Sequence, residues 1–470
     1  MEDAGGFSGG GRGGFRGGRG GGRFDRDWTK GNITGNLLSL GWPMMVSGSL
    51  NMLGPTIDMI WVGRLGPASI AGVGVAGMIV MLVNSAMMGL YQGLRALVSR
   101  AIGAGNQEEA NHAVQQAFII DLTYVTITAL IGIFLAKPIL VLMGVGPDVV
   151  DQGVPYLRVN FIGMVSMSMR MITEASMQAS GDARKPMWVA VFFRVFHIAL
   201  APFLIFGWGF FPQMGVTGAA LTNVFSQGIG AAIGLWFLFS GQTRLRLTLR
   251  NFSIDRKMIW RIIKIGFPAS IMGMERTLGN LILIRFMSPF GTLGVAGHTL
   301  NQRVEMFLMV PAMGVGQAAG ILAGQNLGAG QPERAVKTGW RGAGLLSIMM
   351  LVLSGAILLW AEHIISIFST DPKLVEMSAA FIRIAAAGYL MMGITSSLQQ
   401  CISGAGDTLP PMAITLLNMW LIQLPLAYFL PQIDAFGIYG VRWAMVAGTI
   451  TATIAYTIYF AMGRWKRVNI

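Results

Sequence analysis

Long apolar runs, interrupted by short clusters of glycine, proline and charge, succeed one another from residue 36 to residue 462. They cover about 36–62, 69–98, 113–136, 154–178, 186–207 and 215–240, then 258–288, 293–322, 337–361, 375–401, 411–431 and 437–462. A helix rises about 1.5 Å per residue, so roughly 20 apolar residues cross the ~30 Å hydrocarbon core of a bilayer. The pattern predicts twelve membrane-spanning helices in two sets of six, an all-α membrane protein.

The two sets are copies. At a constant offset of 225 residues, Leu40-Gly41-Trp42-Pro43 faces Ile265-Gly266-Phe267-Pro268, and Ile102-Gly103-Ala104-Gly105 faces Leu327-Gly328-Ala329-Gly330. Further on, Ser180-Gly181-Asp182 faces Ala405-Gly406-Asp407. One offset held over three separate stretches means internal duplication, and large hydrophobic repeats are a mark of transporters. An even number of spans per half makes the repeat parallel. The domains predicted are a Gly/Arg-rich tail over 1–30, an N-terminal six-helix lobe over 31–240, a basic linker over 241–257 and a C-terminal lobe over 258–470.

Composition agrees with a bilayer as solvent. Charged residues are 12% of the chain and hydrophobic ones 53%, whereas soluble domains carry about 25% charge. The formal net charge of +13 is largely a topology signal. Arg184 and Lys185, Arg244 to Lys257, Arg334 to Arg341 and Arg464 to Arg467 fall in loops on the same side as the N-terminus. By the positive-inside rule both termini are expected in the cytoplasm and the protein in the cell (inner or plasma) membrane. The linker's basic residues are expected at the headgroup layer. The segment 7–27, with Arg12, Arg16, Arg19 and Arg23 among glycines, reads as a solvated tail with weak attraction to anionic lipid. RNA is its alternative partner, and no nucleic acid is expected for the rest of the chain. The lone Cys401 excludes an intrachain disulfide and reads as packing.

The segments WPMMVSGSLNMLGPTIDMIWVGRLG, SRAIGAGNQEEA, AGQNLGAGQPERA and QRVEMFLMVPAMGVGQAAG, in that order and in those places, resemble the multidrug and toxic compound extrusion (MATE) family from about Gly35 to Arg467. The resemblance implies two lobes about a central cavity that alternate between inward-open and outward-open states. It also implies export of organic, mostly cationic compounds driven by inward H⁺ or Na⁺, with no other cofactor. A monomer is expected, since the two lobes already supply the pseudo-twofold pairing.

Polar groups inside spans are the candidate machinery, because hydrocarbon penalises them. Glu275 is the first candidate for cation coupling. It lies mid-span, near where the family carries an acid, and its repeat counterpart is Leu50, so the duplication does not account for it. Burial disfavours the charged form of a carboxylate, the property a proton carrier uses. A structural pair with Arg276 is the plainer alternative. Asp58 falls in the family's Asp-x-x-x-x-Gly pattern and is the second coupling candidate, against a helix-end anchor beside Arg64. His197 and Ala201 stand where relatives carry Asn and Asp, so His197 with Arg194 places positive charge where an acid is usual; His197 is either a changed proton site or a partner for Glu174 or Asp58. Arg170 and Glu174, spaced i to i+4, read as an ion pair. Met392 stands near where Na⁺-coupled members place a second acid, so H⁺ is favoured, with Na⁺ at Glu275 and Thr395 or Ser396 nearby as the alternative. Arg170, Glu174, Arg194, His197 and Met392 are accordingly candidates for the cavity. Met164, Met167, Met169, Met171, Met177, Met272 and Met274 are expected to form a soft lining or ordinary packing.

Nothing in the sequence has the spacing of a catalytic triad, a P-loop or a metal site, and an enzyme is not expected. A lipid-linked flippase of the same superfamily is the alternative transporter, and it requires Arg170, Arg194 and Arg285 to converge on the cavity.

Overall fold

The computed structural model describes residues 26–65, 67–144, 146–209, 211–248, 252–369, 371–468 and 470. The described residues form helices and connecting turns without a strand. The first lobe comprises α1 (Ile33–Val62), α2 (Pro67–Gly103), α3 (Gln107–Leu142), α4 (Pro147–Ala179), α5 (Arg184–Phe206) and α6 (Gly215–Phe239). The second comprises α7 (Arg256–Met287), α8 (Gly291–Gly328), α9 (Pro332–Ser366), α10 (Pro372–Gly404), α11 (Leu409–Leu417), α12 (Leu424–Phe429) and α13 (Gly440–Met462). A π-helical turn over Asn418–Gln423 joins α11 and α12 into one span. Several helices outrun the apolar runs that predict them: α2, α3, α8 and α9 each continue into the flanking polar residues and are 35 to 38 residues long.

Local chemistry fixes the helix ends. Asn106 accepts from the backbone of Glu109 at 3.1 Å and starts α3, while Asp255 accepts from Lys257 and Met258 and starts α7. Such caps satisfy amides that have no partner within the helix. Donation from Met258 and from His112 holds the Asp255 carboxyl below the usual carboxylate range. The repeat-related Gly105 and Gly330 follow the ends of α2 and α8 at φ +74° and +71°, a left-handed geometry that favours glycine.

Two stretches differ from expectation. The linker does not simply lie at the headgroups: Leu245 and Leu247 are buried against α2, α3 and α7, and Gln115 and Gln116 of α3 donate to the carbonyls of Thr248 and Ser253. Residues 26–30, read as tail, are anchored. Trp28 is buried, and the Asn36 amide donates to its carbonyl. An indole packed under the lobe outweighs the glycine-rich composition that precedes it. The remainder of the tail, through residue 25, lies outside the described residues.

The lobes meet in a seam built twice over from the duplication. Gly41 of α1 lies against the backbone of Val315 of α8, and its counterpart Gly266 of α7 lies against Leu90 of α2, the counterpart of Val315. A Cβ on Gly89 would collide with the backbone of Ser270, and one on Gly314 with Met45, the same pair reversed. Gly103 presses on the carbonyl of Gln325, and Gly328 on that of Arg100, again counterparts. Gly324 meets Ser99, which is its own counterpart, so the pseudo-twofold axis passes through this contact. Small residues let helix backbones approach closely where lipid gives no hydrophobic drive between helices.

Ser270 Oγ donates to Ala86 O at 2.6 Å and Gln325 to Ala179 O at 2.9 Å, adding cross-lobe hydrogen bonds. The contacts run from Ser85 and Thr277, 3.3 Å apart, to the ends of the helices on the termini side. Beyond them Met81, Leu281 and Met306 are exposed on α2, α7 and α8. Leu281 lies three turns outward of Ser270 on the same face. The molecule is closed on the side of its termini and open on the other.

Valine at Gly103 or Gly328 should therefore loosen the seam. In a Cys401→Ser background, a cysteine at Gln317 is expected to react faster with a membrane-impermeant maleimide from the termini side when Gly328→Val is added. Unchanged labelling would contradict the seam's role as the seal.

Candidate functional site

Buried polar clusters occupy the lobes beside the cleft, and three of them, among the described residues, contain a buried arginine or an ion pair. In the first lobe α1 brings Asp58 to α5, where His197 Nε2 lies 3.0 Å from Asp58 Oδ1, both side chains 5% exposed or less. The approach is an ion-pair distance without the alignment of a good hydrogen bond. Arg194 Nη1 faces His197 Nδ1 at 2.9 Å. A guanidinium can only donate, so Nδ1 is the acceptor and the neutral ring carries its proton on Nε2, towards Asp58. The sequence-predicted alternative partner Arg64 instead stacks over Trp61.

Arg194 fits because α1 has Gly54 there; a Cβ at that position would strike its guanidinium. In the second lobe the equivalent groove at Gly279 takes Met419, the counterpart of Arg194. The same backbone groove thus holds a cation in one lobe and a thioether in the other.

A second cluster lies one layer towards the termini. Arg170 Nη1 donates to Glu174 Oε2 at 2.6 Å, Arg170 Nε donates to Gln227, and Nη2 to Asn51 at 3.3 Å. Gln178 donates to Glu174 Oε1 at 3.0 Å and accepts from Arg95 at 3.2 Å. Phe193 lies between the clusters, with the guanidinium of Arg170 4.5 Å and that of Arg194 5.0 Å from its ring centre. Cation–π contact on an aromatic face stabilises each charge in place of water.

The third cluster is in the second lobe and was not singled out by the sequence. Arg442 of α13 is 1% exposed and donates from Nη1 to Glu305 of α8 at 2.8 Å and from Nη2 to His298 O at 3.2 Å, while Tyr389 of α10 donates to Glu305 at 3.3 Å. Glu305 lies in the outer half of the apolar run over 293–322. Arg442 stands at the start of the last span and reads as an interfacial charge.

Glu275 stands apart. It is 7% exposed inside the second lobe, and among the described residues it has no hydrogen bond or ion pair. The pair with Arg276 is not formed; that guanidinium points to Met309 Sδ at 2.8 Å. The other residues considered near Glu275 have different partners. Thr395 hydrogen-bonds Thr453 at 2.7 Å, Ser396 donates to Ala312 O at 2.9 Å, and Met392 packs with Val304, Leu308 and Tyr389.

The methionine lining also shifts. Met164 and Met177 are buried in helix packing, whereas Met81, Met88, Met306 and Met313 are exposed along α2 and α8. The first and third of these are counterparts, as are the second and fourth. Met274, 36% exposed, is the most open of the methionines first considered.

Residues 43–203 and 268–429 match the MatE family, once in each lobe. The chain belongs to the MATE family. The "Probable multidrug resistance protein NorM" of Thermotoga maritima is 29% identical over 448 residues, covering 93% of this chain and 94% of its own length. The "FAD transporter" of Shewanella oneidensis is 24% identical over 418 residues, covering 88% and 91%. Among solved structures, a multidrug resistance MATE transporter of the MOP superfamily in its outward-facing conformation aligns at TM-score 0.87 and 23% identity, covering 93% of this chain and 96% of that one. These likenesses identify a two-lobed MATE fold of twelve spans in a multi-pass membrane protein. The flippase reading is not favoured: Arg170 and Arg194 are engaged within the first lobe, and Arg285 sits at the end of α7 beside Ser288 in the second.

Arg442→Leu leaves Glu305 buried without its counter-charge and should cost the transporter about 3–5 kcal/mol, whereas the double variant Glu305→Leu/Arg442→Leu should recover much of that loss. Thermal unfolding of the purified proteins checks both, and equal loss in the single and double variants would remove the pair from the account.

Proposed function

We propose that this MATE protein is a secondary active antiporter that exports organic compounds in exchange for inward H⁺, with both termini in the cytoplasm of the cell whose membrane it spans. The observation that carries the reading is Glu275: a mid-span carboxylate, nearly buried and without a bonding partner among the described residues, in a two-lobed body closed on one side. An unpaired buried carboxylate is costly when charged, and it is tolerated where it takes up an ion during function. A proton neutralises it with no further ligand. Sodium, a hard cation, needs several oxygen ligands, and the hydroxyls considered for such a site, Thr395 and Ser396, are bonded elsewhere. H⁺ is therefore the better-supported ion.

The relatives named for multidrug resistance support export of varied organic molecules, and the one named for FAD transport supports a broad range of substrate charge. The exposed methionines of α2 and α8 suit such breadth, since thioethers adapt their packing to different partners. Neutralising Glu275 removes the cost of an unpaired buried charge and so favours the state in which that group is buried. Release of the proton on the other face restores that charge, so ion and substrate use opposite states of one seam.

In proteoliposomes with an imposed pH gradient, wild type is expected to drive a fluorescent organic dye against its gradient, and Glu275→Gln to abolish that drive while still folding. Transport driven by a Na⁺ gradient and indifferent to pH would transfer the role to Na⁺. Full pH-driven transport by Glu275→Gln would remove Glu275 as the coupling group.

A further inference from the structure

At the foot of the cleft, on the pseudo-twofold axis, lies a small polar pocket that the coupling account leaves unused. It is lined by Gln92, Arg95 and Ser99 of α2, by Gln317 and Gly320 of α8, and by Gln400 of α10, and encloses about 10 Å³. That is roughly the room for one water or one oxygen atom. Gln92 and Gln317 are repeat counterparts, so both lobes offer the same amide at the same depth. Arg95 breaks the symmetry, because its counterpart is Gly320. Its Nη2 donates to Gln178 at 3.2 Å, and its Nε is buried with no partner.

The pocket continues outward as a stripe. On a helix of 3.6 residues per turn, Met81, Met88, Gln92, Arg95 and Ser99 fall along one side of α2. Met306, Met313, Gln317 and Gly324 repeat the stripe on α8. The methionines are 57%, 45%, 48% and 37% exposed in chain order, so apolar walls descend to a donor-rich floor.

Charge along the cleft is one-sided. Each of these acids within the spans is withdrawn into a lobe: Asp58 against His197, Asp121 against Tyr91, Glu174 against Arg170, Glu305 against Arg442, and Glu275 nearly buried. Arg276 and Arg303 are exposed at mid-depth, and neither has an ion pair among the described residues. Guanidinium open to hydrocarbon is heavily penalised, so exposed mid-span arginines belong on a water-filled face. Arg303 lies three turns outward of Gly314, on the face of α8 that meets α1.

Resting on the antiport reading, we infer that the substrate carries an acid group. The oxygens of a carboxylate or phosphate take the donors of Arg95, Gln92, Gln317 and Gln400 at the floor, and the apolar body lies along the methionine walls. Arginine donors match such groups better than point charges do. The positive charge of Arg303, and that of Arg276 once the neighbouring Glu275 is protonated, draws the acid inward. A cation, by contrast, meets no exposed mid-span carboxylate among the described residues. The MATE resemblance by itself implies mostly cationic substrates; the charges of this cleft select the opposite sign.

The test uses full-length protein in proteoliposomes under the same pH gradient, with two dyes of similar ring structure: anionic carboxyfluorescein and cationic rhodamine 6G. Wild type is expected to move carboxyfluorescein faster. Arg95→Gln should lower the carboxyfluorescein to rhodamine 6G rate ratio at least about tenfold, the factor one charge-assisted hydrogen bond contributes, and Arg95→Lys should restore part of it. Carboxyfluorescein binding in detergent, followed by fluorescence polarisation, should weaken in parallel, with monodisperse elution confirming that each variant is folded. Rhodamine 6G moving while carboxyfluorescein does not would overturn the inference and leave the antiport reading standing. An unchanged ratio in Arg95→Gln would also overturn it. Movement of neither dye under a pH or a Na⁺ gradient would defeat the antiport reading itself.

Discussion

Where α2 and α8 cross, Gly324 of one lobe meets Ser99 of the other, with no room for a further carbon atom. This closeness is the constraint from which the rest of the architecture follows. Lipid does not press two apolar helices together, so association relies on close packing and on backbone groups reached through small residues. The glycines at 41, 89, 103, 266, 314 and 328 meet that need in symmetry-related pairs. They confine the contact to the termini-side half of the molecule. The outer halves then part, and the cleft, its methionine walls and its polar floor are all consequences of where the seam stops.

A seam that packs by shape and few hydrogen bonds is also a seam that can open. Each lobe keeps its own buried ion pairs and hydrogen bonds. Arg442 ties α13 to α8 through Glu305, and Arg170, paired with Glu174 on its own helix α4, ties α4 to α6 through Gln227 and to α1 through Asn51, without crossing to the other lobe. Glu275 lacks such a tie. The asymmetry between Met419 and Arg194, in equivalent grooves at Gly279 and Gly54, shows how one duplicated scaffold has been given different chemistry in its two halves.

Much of this was legible in the chain. The twelve spans follow from uninterrupted apolar runs, and the lobes follow from the constant offset, since both signals are local or periodic. The i to i+4 pair of Arg170 and Glu174 was legible for the same reason. Asp58 and His197 were legible as candidates, and their mutual contact was one of the partners considered. What stayed hidden depends on how helices rotate against one another. The seam glycines look like ordinary membrane glycines until two helices are set in register. Methionines abound in α4, but the cleft takes those of α2 and α8, because the helix rotation buries Met164 and Met177. Arg442 escaped notice because its partner lies 137 positions away. Trp28 was masked by the glycine-rich run before it.

On the proposed mechanism, two rigid lobes rock about this seam when a proton is bound or released. Leu142 and Ile367 are repeat counterparts, 89% and 78% exposed at the outer ends of α3 and α9. With Cys401 replaced by serine, spin labels at these two positions report the width of the open side by double electron–electron resonance in lipid nanodiscs. The distance is expected to shorten as the pH falls, and Glu275→Gln to hold the short distance at every pH. A distance distribution that stays the same across pH, in wild type and variant alike, would contradict it.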